Sequence, residues 1–281
     1  MRSNDRFHAN SPHFGGSGLA KLRRTRCAVV GVGDLGTQVV QQLAFLGIGS
    51  LILVANDDLD GRNPTGFVRS RHSNSARARD VELAARLANE IDPSIEVCTT
   101  HENIGSRPGF NAVVSADYVF GCLNFEGVRY YLNDLCSSFG RPYIDLAVDS
   151  LPPDSILRKK SAYRGRVLSN YDGNGCLVCM GLLDEKEAGR DSEREILLRR
   201  RDVICLDHFA ENDASLTPIR SVIASLAVTE FMAHVTGVRP ARRLLIYDGR
   251  TSGVTVNQRQ PLPNCSDCAT MRGKRAAESS G

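Results

Sequence analysis

Short apolar runs alternate with amphipathic segments along the first half of the chain, and this alternation sets the predicted fold. The run RCAVVGVG at 26–33 has the continuous apolar character of a buried parallel strand. Apolar positions from Leu35 to Leu46 then follow helical spacing, and Gly47 supplies a C-terminal stop. The run SLILVA predicts a second strand. Strand, glycine-rich turn, helix and strand together predict one right-handed βαβ unit.

The same alternation continues to about residue 150. Amphipathic spacing predicts a helix over 78–91, which ends before Asp92-Pro93. Three further apolar runs predict strands three to five: SIEVCT, ADYVFGCL and PYIDLAV. A helix closed by Gly140 separates the last two of these strands. Helices that alternate with apolar strands predict an α/β fold with a doubly wound, Rossmann-like, mostly parallel sheet.

The pattern changes in the second half, where a C-terminal antiparallel extension is predicted. GRVLSN is its clearest strand, and RLLIYDG with GVTVNQRQ predicts a late strand pair. Between them, Thr217-Pro218 supplies an N-cap and a first-turn proline for a helix that Gly237 closes. The charged stretch from 181 to 216 predicts a solvated helix or a crossover loop.

Composition shifts divide the chain into four predicted parts. The polar, Gly/Ser-rich N-terminus predicts a flexible arm, and the polar C-terminus predicts a disordered tail. Between them lie a Rossmann-like nucleotide-binding half and a C-terminal half that contains the crossover loop. The predicted bounds are 1–20, 21–150, 151–271 and 272–281.

Charge and composition narrow the classes of partner. The formal charge of +3 over 281 residues is too small to favour nucleic acid or an anionic membrane as the main partner. The most apolar helical segment, SVIASLAVTEFMAHV, is interrupted by Glu230 and His234 and is too short to span a membrane. The N-terminus lacks the apolar core of a secretory signal, so we expect a cytoplasmic protein. Its nine cysteines then favour metal binding over disulfides.

Two C-x-x-C motifs give the strongest chemical signal. They are Cys176 with Cys179 in GNGCLVCMG, and Cys265 with Cys268 in LPNCSDCAT. Each motif places two thiolates on one tetrahedral ion, and together they fill the four-sulfur shell of a structural zinc site. The alternatives are chance pairs of reduced cysteines and a thioredoxin-like redox role. The zinc would tie the two ends of the C-terminal half together.

The glycines Gly31, Gly33 and Gly36 form G-x-G-x-x-G between a predicted strand and a predicted helix. In this position the motif favours phosphate binding at a helix N-terminus, although a structural turn with an empty pocket remains the alternative. An acid is expected about 20 residues later to bind the ribose, and Ala55 stands there. Asp57 and Asp58 follow, and either would reach the sugar or Mg²⁺, or both are solvated turn residues.

The remaining cysteines carry weaker signals. Cys27, Cys98 and Cys122 fall in strand patterns and Cys136 in a helix pattern, so core packing is expected for all four. Cys205 lies three residues before a histidine. It is a candidate nucleophile or, as we favour because such pairs are common, a buried anchoring residue.

Taken together, these motifs resemble the ThiF/MoeB/HesA family of adenylating proteins, which are related to ubiquitin-activating enzymes. The resemblance covers about residues 6–269. It rests on the glycine-rich opening, EIDPSIEV, GRVLSNYDGNGCLVC, the helix ASLTPIRSVIASLAVTEFMAHVTG, and the final strands with PNCSDC. It implies binding of ATP and Mg²⁺, with attack of a carboxylate on the α-phosphate to give an acyl-adenylate. The implied substrate is the C-terminus of a ubiquitin-like protein, a sulfur-carrier protein or a peptide.

The chain departs from the family pattern at several catalytic positions. The ribose-binding aspartate falls on Ala55, and the magnesium-binding aspartate after the fourth strand falls on Asn124. The asparagine that touches ATP is kept as Asn63, but the arginine three residues later falls on Gly66. Arg69 or Arg71 would reach back to replace that charge.

Two further family cations are also displaced. The lysine falls on Asp80, with Arg79 adjacent. The arginine that reaches into the neighbouring subunit's site falls on Ala9, although Arg6 of the same N-terminal motif is kept. The family assembles its sites against a partner subunit, so the resemblance also implies a two-fold homodimer.

Three functions are compatible with these residues. The first is a divergent adenylyltransferase, in which Arg69, Arg71 and Arg79 supply the displaced charge and Asp57 or Asp58 holds the metal. The second is a catalytically degenerate binding platform, or the silent subunit of a heterodimer with an active relative. The third, a nicotinamide-dependent oxidoreductase, rests on the glycine loop alone and is disfavoured by the cysteine motifs.

Overall fold

The computed structural model describes residues 11–55, 80–148, 163–183, 188–189 and 216–279. The eight strands among these residues form one sheet in the order β3-β2-β1-β4-β5-β6-β7-β8. The strands are β1 Arg26–Val30, β2 Ser50–Val54, β3 Glu96–Thr100, β4 Tyr118–Gly121, β5 Tyr143–Val148, β6 Arg164–Asn170, β7 Leu244–Asp248 and β8 Gly253–Val256.

Seven helices of the described part pack around this sheet. They are α1 Ser11–Arg24, α2 Asp34–Leu46, α3 Asp80–Ile91, α4 Arg107–Val114, α5 Glu126–Ser138, α6 Thr217–Thr236 and α7 Ser266–Ser279. Helix α2 ends as expected at Gly47, which adopts the left-handed conformation with φ 86°. Within the described chain, no helix combines the length and the apolar character needed to cross a membrane.

The strand pairings confirm the predicted α/β class with a doubly wound sheet. Strands β1 to β5 are parallel, and β6, β7 and β8 continue the sheet antiparallel. Strand β1 lies between β2 and β4. The chain runs from β1 through β2 to β3 on one side of the sheet, and then returns across β1 to form β4 and β5 on the other side. Such a switch point opens a crevice at the carboxyl ends of the strands. The predicted halves share this sheet, because Tyr143 of β5 pairs with Asn170 of β6.

Alternate residues of the central strands enter two separate cores, which is why their sequences are apolar throughout. Val29 of β1 packs on the side of α2 and α6, whose residues Val39 and Phe231 are fully buried there. Its neighbours Ala28 and Val30 face the opposite side. That second core contains residues of α4 and α5 and the four cysteines of the two C-x-x-C motifs.

The predicted flexible arm at 1–20 is wrong for its second part, because helix α1 occupies residues 11–20 and continues to Arg24. The helix packs against α6, and its Leu22 is fully buried. Sequence reasoning missed it because its glycines have low helix propensity, and Gly15 kinks the helix with φ 69°. Residues 1–10 lie outside the described residues.

Helix α7 likewise replaces the predicted disordered tail at 272–281 over residues 272–279. It packs against α5, and Met271 within it is fully buried. The Arg272 side chain donates a hydrogen bond to the carbonyl of Gly173 at 2.6 Å. The tail is therefore ordered by contacts with a distant part of the chain, which local composition does not encode.

One helix was not predicted, and another begins at a different residue than expected. Helix α4 was not predicted, although Ser106 caps it by accepting a hydrogen bond from the amide of Gly109 at 3.2 Å. Helix α6 begins one residue earlier than predicted, with Leu216 as the N-cap and Thr217 already helical. Gly237 closes α6 as expected, in the left-handed conformation with φ 74°.

Candidate functional site

The first glycine of the G-x-G-x-x-G motif forms a tight turn at the end of β1. Gly31 has φ 87°, a value that residues with side chains rarely adopt. A Cβ at this position would lie 2.5 Å from the carbonyl oxygen of Cys122. The Gly31 amide donates to the carbonyl of Val54 at 2.8 Å, which fixes the turn to β2. Glycine is therefore required here by backbone conformation and by the neighbouring strand.

The second and third glycines have opposite surroundings. A Cβ on Gly36 would lie 2.0 Å from the carbonyl oxygen of Gly31, so the third glycine lets α2 pack on the turn. Among the described residues, a Cβ on Gly33 would meet no heavy atom within 4 Å, and its φ of −76° suits any residue. The protein itself therefore does not require glycine at 33. The open space lies at the N-cap of α2, where helix amides and the helix dipole favour a phosphate.

An ion pair stands beside this open space. Asp34 is the first residue of α2, and its carboxylate accepts a hydrogen bond from the guanidinium of Arg220 in the first turn of α6. The side chains of Asp34 and Arg220 are 19% and 5% exposed. Sequence reasoning missed this pair, because nothing local connects residues 186 positions apart.

Two departures from the family pattern follow strands β2 and β4, and a third described departure, Asp80, begins α3. Ala55 follows β2 and is buried, and its methyl group offers no hydrogen bond to a ribose. Asn124 is exposed and follows β4, just before α5 begins. The Cys122 amide donates to the carbonyl of Val30 at 2.8 Å, which holds the ends of β1 and β4 together. The open space at Gly33 suits a phosphate, whereas these two side chains do not suit a ribose and a magnesium ion.

A buried carboxylate on the adjacent strand does not compensate for Asn124. Asp145 of β5 is fully buried and accepts hydrogen bonds from Nε of Arg129 at 3.1 Å and from the Tyr143 hydroxyl at 2.9 Å. Burial alone would lower the pKa of Arg129, but the charge of Asp145 and their hydrogen bond raise it overall. The Asp145 carboxylate thus forms a hydrogen-bonded ion pair with Arg129. Glu126, at the start of α5, lies 3.4 Å from Arg129 and was overlooked from sequence despite following Asn124 closely.

The cysteines outside the two motifs divide into buried and exposed. Cys27, Cys122 and Cys136 are buried, and burial is the main cause that raises the pKa of each thiol far above its usual value. They are packing residues, as expected. The expectation was wrong for Cys98, which is exposed on β3 because this strand forms the edge of the sheet.

The four cysteines of the C-x-x-C motifs form one cluster. Their Sγ atoms all lie within 4.8 Å of one another. The pairs Cys176–Cys265 and Cys179–Cys268 are each separated by 3.6 Å. A tetrahedral zinc ion with Zn–S bonds of about 2.3 Å requires S–S separations of about 3.8 Å. The donor set therefore fits zinc in a site closed by protein ligands.

Electrostatics of the cluster also favour a cation. Hydrogen bonding from Cys176 is the main cause that lowers the pKa of Cys268 to about 5. The same bond and burial raise the pKa of Cys176 far above its usual value. Four adjacent thiolates repel one another when no cation lies between them. A divalent cation would allow all four to ionise.

A buried asparagine links the cluster to helix α5. The Asn133 side chain accepts a hydrogen bond from the Leu177 amide at 3.0 Å and donates one to Asp267 at 3.1 Å. The same Asp267 oxygen lies 3.8 Å from Sγ of Cys176. Asn133 therefore holds the first cysteine loop, the start of α7 and α5 in one arrangement, and outer partners of this kind orient metal ligands.

A comparison with protein families identifies the chain. The model described as "ThiF family" matches residues 7–268. The chain belongs to the ThiF family. This agrees with the resemblance inferred from the glycine loop and the paired cysteine motifs.

Named relatives of this ThiF chain include larger proteins. It is 33% identical over 267 residues to the adenylyltransferase and sulfurtransferase MOCS3 of Drosophila willistoni, covering 92% of this chain and 52% of MOCS3. It is 29% identical over 169 residues to the adenylyltransferase and sulfurtransferase UBA4 of Yarrowia lipolytica, covering 60% of this chain and 39% of UBA4. The chain thus spans about half, or less, of the length of these relatives.

Solved structures share the fold of the ThiF chain. A structure of E. coli MccB with ATP superposes with a TM-score of 0.69 at 18% identity, covering 94% of this chain and 74% of MccB. The structure of PaaA superposes with a TM-score of 0.62 at 17% identity, covering 89% of this chain and 81% of PaaA.

The structure brings together part of the predicted site. The Gly31 amide bonds to Val54, the residue before Ala55, and the Cys122 amide bonds to Val30, so the ends of β1, β2 and β4 lie side by side. The four cysteines form their own cluster. Asp80 is the first residue of α3. The other predicted residues lie outside the described residues: Arg6, Ala9, Asp57, Asp58, Asn63, Gly66, Arg69, Arg71, Arg79 and Cys205.

Proposed function

We propose that this ThiF-family protein is an ATP-dependent adenylyltransferase that activates a carboxylate. The observation that carries the proposal is the open space at Gly33. This glycine is required neither by its φ of −76° nor by any neighbouring atom of the described residues, and it is the N-cap of helix α2 at the switch point of the sheet. A backbone that must approach a phosphate accounts for it.

The proposed reaction joins the carboxylate to AMP. A carboxylate oxygen forms a bond to the α-phosphorus of ATP, the bond to the β-phosphate bridging oxygen breaks, and pyrophosphate leaves. Positioning of the two reactants and neutralisation of phosphate charge are the main requirements of such a transfer. The α2 N-terminus would hold the phosphates through backbone amides, and Asn63 would contact the nucleotide.

The other charged groups that the reaction needs are assigned to residues that follow β2 in the sequence. We propose that Asp57 or Asp58 holds Mg²⁺ and contacts the ribose in place of Ala55. We propose that Arg69, Arg71 and Arg79 supply the displaced cations. Cys205 is kept as a candidate nucleophile only for a step after adenylation. The zinc cluster is proposed as a structural element that contacts no substrate.

The proposed substrate is the C-terminus of a ubiquitin-like protein, a sulfur-carrier protein or a peptide. Two relatives are named adenylyltransferase and sulfurtransferase, and solved MccB structures contain ATP or MccA. A two-fold homodimer is proposed in addition. Analytical sedimentation at micromolar concentration would give a dimer, and a monomer would remove this part of the proposal.

Carboxylate-dependent exchange of labelled pyrophosphate into ATP tests the function. The full chain would be assayed with candidate carrier proteins and peptides, each compared with the same substrate amidated at its C-terminus. The proposal predicts exchange with at least one free C-terminus, none with its amide, and loss of exchange in Asp57→Ala together with Asp58→Ala. Binding of ATP and a carrier without exchange would reject it.

A degenerate binding platform is the second candidate, and a specific observation favours it. Ala55 and Asn124 remove both a ribose contact and a metal-binding carboxylate from the crevice rim, and Asp145 is committed to Arg129. A platform would bind a carrier C-terminus or an active ThiF relative with the same affinity whether or not ATP is present. ATP-dependent affinity for the carrier would count against it.

A further inference from the structure

The ion pair between Asp34 and Arg220 places two charges at the entrance of the proposed phosphate site. Asp34 directly follows Gly33, whose surroundings are open, and its side chain is 19% exposed. Arg220 approaches from α6 and is 5% exposed. Helix α6 packs against α2, so the pair joins the first turns of two packed helices.

Asp34 alone would oppose phosphate binding. A carboxylate in the first turn of a helix is stabilised by the positive end of the helix dipole, which is the same feature that attracts phosphate. Two negative charges a few ångströms apart in a partly buried site repel each other by several kcal/mol at an effective dielectric constant of about 20. The site therefore needs a cation that cancels the Asp34 charge.

We infer that Arg220 is a positioning residue of the nucleotide site, which neutralises Asp34 so that a polyphosphate can bind at the N-terminus of α2. The inference rests on the proposed ATP-binding function. Arg220 acts through Asp34 and not by replacing it as a phosphate ligand. Arg220 would thereby influence nucleotide affinity from helix α6, which is distant in sequence from the glycine motif.

A double-mutant cycle on the full-length protein tests the inference. The variants are Arg220→Met, Asp34→Asn and the double variant, and the dissociation constants of Mg²⁺–ATP and of adenosine are measured by calorimetry. Arg220→Met should weaken ATP binding by about tenfold or more, because Asp34 loses the positive charge of Arg220. Adenosine, which has no phosphate, should bind within about twofold of wild type.

The Asp34→Asn background separates this role from a merely structural one. In that background, adding Arg220→Met should change the ATP dissociation constant by less than about threefold, since no carboxylate remains to be neutralised. An additional loss of about tenfold would overturn the inference, because it would mean that Arg220 contacts phosphate or holds the crevice together. The comparison stands even if Arg220→Met alone does not fold.

A matched control uses another ion pair of the same helix. Arg239 pairs with Glu230 at 2.7 Å near the other end of α6. Arg239→Met should leave the ATP dissociation constant within about twofold of wild type. If wild-type protein does not bind ATP, the proposed function fails and the inference fails with it. If wild type binds ATP and Arg220→Met binds equally well, the inference alone fails.

Discussion

The buried side chain of Asn133 accepts a hydrogen bond from the backbone amide of Leu177 at 3.0 Å. This contact joins α5, which starts shortly after Asn124, to the loop that carries Cys176 and Cys179. Because Asn133 also donates to Asp267, one amide group holds both cysteine loops against α5. The geometry of the four-cysteine cluster is therefore set by the Rossmann-like sheet and its helices as well as by the cysteines.

Replacing Asn133 by alanine should destabilise the protein by about 1–3 kcal/mol, because the buried Leu177 amide would lose its acceptor. It should also speed the removal of bound zinc by a chelator, because outer partners orient the ligands. Chemical denaturation and a chromophoric zinc indicator measure the two effects. Asn174→Ala is the control, since Asn174 is exposed near the same loop and bonds only locally to Asp172. Equal effects of both variants would contradict the role of Asn133.

The zinc assignment predicts one ion per chain, with loss of the ion in Cys265→Ser. Because metal binding and folding are linked in such sites, this variant should lose on the order of 3 kcal/mol or more of stability. Elemental analysis and thermal unfolding provide the measurements. Cys98→Ser is the matched control, because Cys98 is exposed on the edge strand and should leave both values unchanged. The zinc site would be ruled out if wild-type protein contained no metal and if its stability did not change when zinc was added.

Alanine substitutions at two glycines of one loop should have opposite effects. Gly33→Ala should leave the melting temperature near wild type, because its Cβ meets no atom of the described part of the chain within 4 Å. It should weaken ATP binding on the order of tenfold. Gly36→Ala should destabilise the fold by about 1–3 kcal/mol, because its Cβ would lie 2.0 Å from a carbonyl oxygen. Calorimetry and thermal unfolding measure both. An unchanged ATP affinity in Gly33→Ala would mean that no phosphate lies there.

Asn124→Asp should increase magnesium-dependent pyrophosphate exchange by about tenfold, because a carboxylate binds Mg²⁺ better than a neutral amide. The gain should appear as a lower magnesium concentration at half-maximal rate. Asn111→Asp, which adds the same charge at an exposed position of α4, controls for net charge and should change nothing. An equal rate and an equal magnesium requirement in wild type and Asn124→Asp would mean that residue 124 does not face the magnesium ion, and would contradict this prediction.

His234 should make stability depend on pH. Its ring stacks on Tyr171 at 3.9 Å, and burial, followed by the charge of Arg275, lowers its pKa from the usual 6.5. The unfolded chain therefore takes up a proton on His234 at a higher pH than the folded chain does. The contribution of neutral His234 to the free energy of unfolding is present above pH 6.5 and is lost as the pH falls. His234→Phe should therefore lose less stability than wild type between pH 7 and pH 5. The exposed His13→Phe serves as the control, and parallel curves for wild type and His234→Phe would contradict the prediction.

The sequence predicts those features that depend on local patterns. The central strands are apolar on both faces, the three glycines lie close together in sequence, and so do the two cysteines within each C-x-x-C motif, so the sequence predicts all of these features. The sequence does not predict helix α1, because Gly15 and the glycines near it have low helix propensity. Packing of Phe14 and Leu22 against the core stabilises the helix.

Long-range contacts were beyond sequence reasoning for a different reason. The pairs Asp34–Arg220 and Asn133–Asp267 join residues separated by 186 and 134 positions. Asp34 and Asp267 lie at variable positions of motifs, but their partners Arg220 and Asn133 belong to no motif, so the motifs do not predict that these residues meet. These contacts supply the charge balance of the crevice and the support of the cysteine cluster, which the motifs alone do not show.

The most direct test of the account is a crystal structure of the protein with ATP and Mg²⁺. We predict that the triphosphate lies over Gly33 and accepts hydrogen bonds from amides in the first turn of α2, while Arg220 stays bonded to Asp34. A crevice that remains closed to nucleotide at saturating ATP, or a triphosphate bound away from α2, would contradict the account.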